Sequence, residues 1–177
     1  MNIVLLEPEI PANTGNIGRT CVATGTALHL IDPLGFSLDE KSIKRAGMDY
    51  WKELDVTRHA DWEEFVAWAK TKAESAGVPA SAKAAEPRFV FASTKGTHVY
   101  SDFKFRENDY IVFGKESAGI PEEILVKNPE TTIRIPMVGE TRSLNLSNSV
   151  AIVLYEALRQ QGFEGMKLEG ALHRLHW

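Results

Sequence analysis

Four stretches of this 177-residue chain carry residue types able to hold or act on a ligand. The first is Glu7-Pro8-Glu9-Ile10-Pro11-Ala12-Asn13-Thr14-Gly15-Asn16-Ile17-Gly18-Arg19. Its prolines fix the approach of the chain, and its Asn and Gly residues offer amides and close backbone approach at a helix start, a natural anion site. Arg19 shares a cleft with Asn13 if Asn13 caps the helix; the alternative is a capped helix with Arg19 on the surface. The other stretches are Ser93-Thr94-Lys95-Gly96, Gly114-Lys115-Glu116-Ser117-Ala118-Gly119-Ile120-Pro121, and the segment from Pro136 to Ser149, which contains Met137, Arg142, Ser143, Leu144 and Asn145. Each follows a short apolar run. One Gly- and polar-rich loop is routine; three behind consecutive strands imply a ligand read largely through backbone groups.

Several chemistries are excluded by spacing. Gly15-Asn16-Ile17-Gly18 is not a dinucleotide fingerprint, and Gly114-Lys115-Glu116 lacks both the spacing and the Ser/Thr of a phosphate-binding loop. No G-x-S-x-G elbow occurs. The single cysteine, Cys21, falls inside an expected helix and reads as core; alone, it allows no intramolecular disulfide and no Cys-rich zinc site. The five histidines show no metal-ligand spacing with carboxylates, so no metal is expected.

Charge narrows the partners. Twenty Lys and Arg oppose 24 Asp and Glu, a net charge of −4, and neither the beginning, the middle nor the end of the chain is basic. A protein that coats nucleic acid relies on many cations to displace counterions, so that mode is disfavoured, while one local basic site is not. The N-terminus lacks a basic segment and a long apolar run, and no stretch approaches the roughly 18 apolar residues of a membrane helix. A cytoplasmic protein with no membrane partner is the expectation.

The elements that must position these loops alternate. Ile3–Leu6 reads as a buried strand, and Asn13 or Thr14 as the cap of a helix running to about Thr24, with Gly25 as its stop. Leu28–Ile31 and Glu53–Thr57 read as strands, Asp39–Ala46 as a short helix, and Asp61 as the cap of Trp62–Ala76, with Phe65, Trp68 and Ala69 on one face. The Ala-, Ser- and Pro-rich 77–87 stretch reads as a loop. Arg88–Ala92, Tyr110–Phe113 and Thr132–Ile135 are strands, a helix starts at Pro121–Leu125, and Leu146–Gln161 is the clearest helix, its apolar residues recurring every three or four positions. This is an α/β pattern with a mostly parallel sheet flanked by helices, in which ligands bind beyond the carboxyl ends of the strands.

The loop sequences resemble the SPOUT superfamily of RNA methyltransferases. The residues that carry this are Pro8-Glu9-Ile10-Pro11-x-Asn13-Thr14-Gly15-Asn16-Ile17-x-Arg19, Phe113-Gly114-x-Glu116-x-x-Gly119-Ile120-Pro121, and Ile135-Pro136-Met137 with Arg142-Ser143-Leu144-Asn145-Leu146-Ser147-Asn148. His29-Leu30-Ile31-Asp32-Pro33-Leu34-Gly35-Phe36 and Arg45-Ala46-Gly47-Met48-Asp49-Tyr50 point further to the TrmL/YibK type, which 2′-O-methylates the wobble nucleotide, cytidine or uridine 34, of certain tRNAs. The similarity spans residue 2 to about 163 and implies one methyltransferase domain over 1–163 with a tail over 164–177. The 77–86 stretch is longer than is typical, and Ser93-Thr94-Lys95-Gly96 is one residue shorter.

The resemblance implies a fold with a C-terminal trefoil knot, S-adenosylmethionine as methyl donor, no metal, a homodimer whose sites use both chains, and the tRNA anticodon loop as partner. It implies Arg19, Asn13, Glu116 and Asn145 as catalytic residues. Ser93, Thr94, Gly114, Glu116, Gly119, Ile135, Met137, Ser143 and Leu144 would hold the donor, and Arg19, Lys44, Arg45 and Arg142 would meet RNA. Trp51 and Tyr50 are candidates to stack on a splayed base, and Tyr155 to sit at a dimer contact, with core packing the alternative in each case. For Glu116 and Asn145 the alternative is a salt bridge and a helix cap. Rival readings are a flavodoxin- or Rossmann-like enzyme, a related methyltransferase acting on another tRNA position or rRNA, and a non-catalytic RNA-binding module.

Overall fold

The structure is a computed structural model that describes residues 1–39, 49–75, 86–139 and 143–175. The short helix expected at Asp39–Ala46 and the 77–87 loop lie almost entirely outside these residues.

Seven strands form one sheet in the order β3-β2-β1-β6-β4-β7-β5, and every pair is parallel. They are β1 (Asn2–Leu6), β2 (Ala27–Ile31), β3 (Val56–His59), β4 (Phe89–Ala92), β5 (His98–Val99), β6 (Tyr110–Gly114) and β7 (Thr132–Arg134). The helices are α1 (Pro11–Thr24), α2 (Trp62–Ser75), α3 (Glu122–Leu125) and α4 (Leu146–Gln160).

Strands with apolar side chains on both faces need a layer on each side. On one face Ile3, Leu5, Leu28, Leu30, Ile111 and Phe113 pack with Ile17 and Cys21 of α1 and Val150, Val153, Leu154 and Ala157 of α4. On the other, Val4, Leu6, Ile31, Phe91 and Val112 pack with Phe65 and Ala69 of α2 and Leu125 of α3. The alternation along β1, Ile3 and Leu5 against Val4 and Leu6, is the period of two that separates the faces. Cys21 is fully buried in α1, and burial pushes its thiol up to about 12, so it is inert packing.

Three local expectations are corrected. Helix α1 begins at Pro11 with Ile10 at the cap position, so neither Asn13 nor Thr14 caps it; Asn13 sits inside the first turn, its side chain directed sideways to another loop. The third strand starts at Val56, because Leu28 pairs there, and Asp49–Glu53 ahead of it forms a 3-10 helix. Strand β5, two residues long, was not anticipated: a run that short carries no periodicity. Asp61 does cap α2, its Oδ1 accepting the Glu64 amide at 2.7 Å, and Gly25 ends α1 at φ 63°.

Candidate active site

Strands β6, β4 and β7 are neighbours in the sheet, so the loops that follow them share one rim. Between them lies a cavity of about 480 Å3. Its walls include Ser93 and Thr94 after β4; Gly114, Glu116 and Gly119 after β6; and Ile135, Met137, Ser143 and Leu144 after β7. All nine positions that the resemblance implies for a donor thus line one cavity, of a size usual for a small ligand. The lining mixes apolar Phe113, Ile135, Met137 and Leu144 with polar Ser93, Thr94, Glu116 and Ser143. A donor with a flat aromatic base and a charged amino-acid end needs both. A larger groove of about 650 Å3, lined by Trp62, Phe89, Phe91 and Ile124 among others, lies against α2 and contains none of these residues.

Gly114 closes β6 at φ 109°, and a Cβ there would collide with the Leu6 carbonyl. Only glycine lets β6 stay paired to β1 while the chain turns into the cavity loop.

The loops after β1 and β6 are stitched by carboxylates. Glu116 accepts from the Glu9 amide at 2.9 Å, the Ile10 amide at 3.3 Å and Asn13 Nδ2 at 3.1 Å. Ile10 has no side chain able to cap α1, so Glu116 brings an acceptor, and a negative charge that the helix dipole favours, to that end. Glu9 in turn accepts from the Ser117 amide and hydroxyl at 2.8 and 2.7 Å, which hold its carboxyl below the usual range. Lys115 pairs with Glu7 at 2.6 Å, a contact that raises the ammonium above its ordinary value.

Asn13 is 5% exposed and uses both ends of its amide. Nδ2 donates to Glu116, and Oδ1 accepts from Asn145 Nδ2 at 2.9 Å. The reverse amide orientation would set its oxygen against a carboxylate, so the network fixes the assignment. Asn145 also caps α4, accepting the amides of Ser147 at 2.9 Å and Asn148 at 3.4 Å. Asn145 is thus the cap of α4 and also bonds Asn13, and Glu116 makes amide hydrogen bonds where a salt bridge was the alternative.

Arg19 lies on the exposed side of α1, outside the cavity lining, its guanidinium 4.9 Å from the centroid of the Tyr50 ring. The Tyr50 hydroxyl donates to the Gly15 carbonyl. Trp51 packs against the core. Lys44, Arg45 and Arg142 lie outside the described residues. The Glu7–Lys115 and Glu9–Ser117 pairs were missed from sequence because the partners stand 108 positions apart, beyond any local spacing rule.

No described helix is long and apolar enough to cross a membrane, and no cluster of His, Cys, Asp and Glu among the described residues could hold a metal.

Comparison with known proteins places this geometry. A tRNA (cytidine(34)-2'-O)-methyltransferase of Escherichia coli K12 is 46% identical over 170 residues, covering 95% of this chain and 98% of the relative. A solved structure described as "Structural insights into the 2-OH methylation of C/U34 on tRNA" superposes with a TM-score of 0.75 at 43% identity, covering 91% of this chain and 95% of that one. The SpoU methyltransferase AviRb from Streptomyces viridochromogenes, in complex with the cofactor AdoMet, superposes with a TM-score of 0.74 at 26% identity, over 91% of this chain and 60% of that one. The sequence profile of the SpoU rRNA Methylase family matches residues 1–155, which take in the cavity and the whole Asn13–Glu116–Asn145 network, and the chain belongs to that family.

Proposed function

We propose that this protein transfers a methyl group from S-adenosylmethionine to the ribose 2′-hydroxyl of nucleotide 34, cytidine or uridine, in the tRNA anticodon loop. The observation that carries the reading is the hydrogen-bonded series from cavity-lining Glu116 through buried Asn13 to Asn145, which ties the cavity to the helix bearing Arg19. The relative of E. coli, named for cytidine 34, supplies the position.

The donor brings a sulfonium-bound methyl group. A hydroxyl is a weak nucleophile, so the protein must align it with that methyl and stabilise it as its proton leaves. Arg19 serves by charge and position, as a guanidinium does, and not as a base. Asn13 and Glu116 hold the start of α1, the helix that carries it further along, and Ser93, Thr94, Gly114, Gly119, Ile135, Met137, Ser143 and Leu144 hold the donor.

Arg19 stands outside the cavity of its own chain, which suits a site completed by a second copy. Ile152 and Tyr155 of α4, 36% and 43% exposed, and Leu168 and Leu172 beyond it give the apolar surface for such a homodimer. In this reading residues 1–163 are the catalytic domain, 164–177 a tail, and the segment after β6 threads as a trefoil knot. Arg142, Lys44 and Arg45 supply local cations for an anticodon loop.

Radiolabelled methyl transfer from S-adenosylmethionine to total tRNA, with mapping of the labelled nucleotide, tests this. Label at ribose 34 is expected. Label elsewhere, or on rRNA alone, assigns another target, and RNA binding without label assigns a non-catalytic module. Light scattering at the mass of one chain overturns the shared site.

A further inference from the structure

We infer that Tyr50 is a positioning residue that aims Arg19 at the substrate. The inference rests on the role proposed above for Arg19.

An Arg side chain on a helix surface loses rotamer entropy before it can act from one place. Electrostatic catalysis works best when the charge is held ready beforehand. Tyr50 provides two restraints from outside the helix. Its ring lies under the guanidinium, 4.9 Å from centroid to Cζ, within the range at which a ring face attracts a cation. Its hydroxyl donates to the Gly15 carbonyl, the acceptor that the α-helical register also gives to the Arg19 amide. The same side chain therefore fixes the head of Arg19 and the helical turn at its root.

Gly18 lies under this contact. A Cβ at that position would come within 3.4 Å of both Tyr50 Cε2 and Trp51 Cζ3 and within 3.2 Å of Leu54 Cδ2. The close fit leaves a side chain at this position little room between α1 and the 3-10 helix Asp49–Glu53 with Leu54 behind it. The ring that sequence alone offered to a splayed base is occupied by Arg19.

The test is steady-state methyl transfer to tRNA by the full chain, with kcat and KM separated, donor affinity measured by calorimetry and melting temperature recorded. Tyr50→Phe keeps the ring and is expected to keep kcat within about threefold, whereas Tyr50→Leu is expected to lower kcat about 10-fold with donor affinity unchanged. A series of progressively fluorinated phenylalanines at position 50 then weakens only the charge on the ring face. A stepwise fall in kcat at constant melting temperature supports the inference, and a flat series overturns it even if Tyr50→Leu fails to fold. A Tyr50→Phe loss as large as that of Tyr50→Leu also overturns the ring's part. Arg19→Ala, run alongside, separates the two ideas: if it keeps wild-type turnover, the reading of Arg19 itself fails. If it is inactive while Tyr50→Leu is fully active, only the role of Tyr50 fails.

Discussion

Asn145 Nδ2 donates to Asn13 Oδ1 at 2.9 Å, joining the first turn of one helix to the cap of another across 132 positions of sequence. Asn145 thus has separable duties. Asn145→Asp keeps an oxygen able to cap α4 but turns a second acceptor toward Asn13. We expect Asn145→Asp to hold the helix, where Asn145→Ala loses about 1 kcal/mol of cap, yet both to weaken donor binding. Calorimetry with S-adenosylmethionine decides, and wild-type affinity in Asn145→Asp would sink the link between network and cavity.

Glu116 offers an acceptor to three donors, so its nearest isostere is a poor substitute. A glutamine must direct its NH2 either at the Glu9 amide or at the Ile10 and Asn13 donors. Glu116→Gln is expected to destabilise by about 1–3 kcal/mol, close to the cost of Glu116→Ala. Urea unfolding of both variants measures it; a Gln variant as stable as the parent contradicts the assigned pattern.

Arg19→Ala should reduce methyl transfer by orders of magnitude and leave donor affinity nearly intact, because Arg19 is not part of the cavity lining. Arg19→Lys should recover little, since a compact ammonium reproduces neither the planar fork nor its stacking. Single-turnover rates at saturating donor report both.

Gly114→Ala places a Cβ on the Leu6 carbonyl at a backbone angle of 109°, which side chains rarely adopt. Strain of about 1–3 kcal/mol is expected, with loss of donor binding as β6 shifts against β1. A variant that melts normally and binds the donor normally would show the turn to be dispensable.

His29 makes stability depend on pH. It is 2% exposed, ringed by Phe65, Trp68 and Tyr110. Its Nδ1 lies 3.2 Å from His59 Nε2, while His59 Nδ1 lies 2.9 Å from Glu64. With His59 donating to Glu64, His29 donates to His59, and its buried Nε2 has no partner among the described residues. Burial, reinforced by His59, lowers His29 to about 4. A depressed histidine binds its proton more readily in the unfolded chain, so stability is complete above about pH 6.5 and falls as pH drops toward 4. The loss at pH 5 is about 2 kcal/mol from this group. Urea unfolding at pH 7.5 and 5 should show it, and His29→Gln should reduce the difference; an unchanged difference would assign it to other groups.

Much of the architecture was legible in the chain. Ile3–Leu6 and Tyr110–Phe113 are apolar at every position, as strands covered on both sides must be, and the spacing of Val150, Val153, Leu154 and Ala157 named the buried face of α4. The cavity was legible because its walls are contiguous loops after strands. The start of α1 was not: a local rule looks for a cap among residues 10–14, whereas the acceptor comes from Glu116. The Arg19–Tyr50 contact escaped for a similar reason, since no spacing rule links residues on separate elements. Sequence reasoning reads what neighbours along the chain do; here the distal partners decide.

The placement of β1 has a consequence in time. It precedes β6, which begins only at Tyr110, by most of the described sheet, yet it sits between β2 and β6. At about 5–20 residues per second, several seconds pass in which the growing chain can pair β1 with β2 while its other edge stays open. Leu5 and Leu6, destined for opposite buried faces, wait beside that edge. An open strand edge of that kind is a template for pairing with another chain, and the cavity is complete only once Leu146 and Ser149 of α4 have followed.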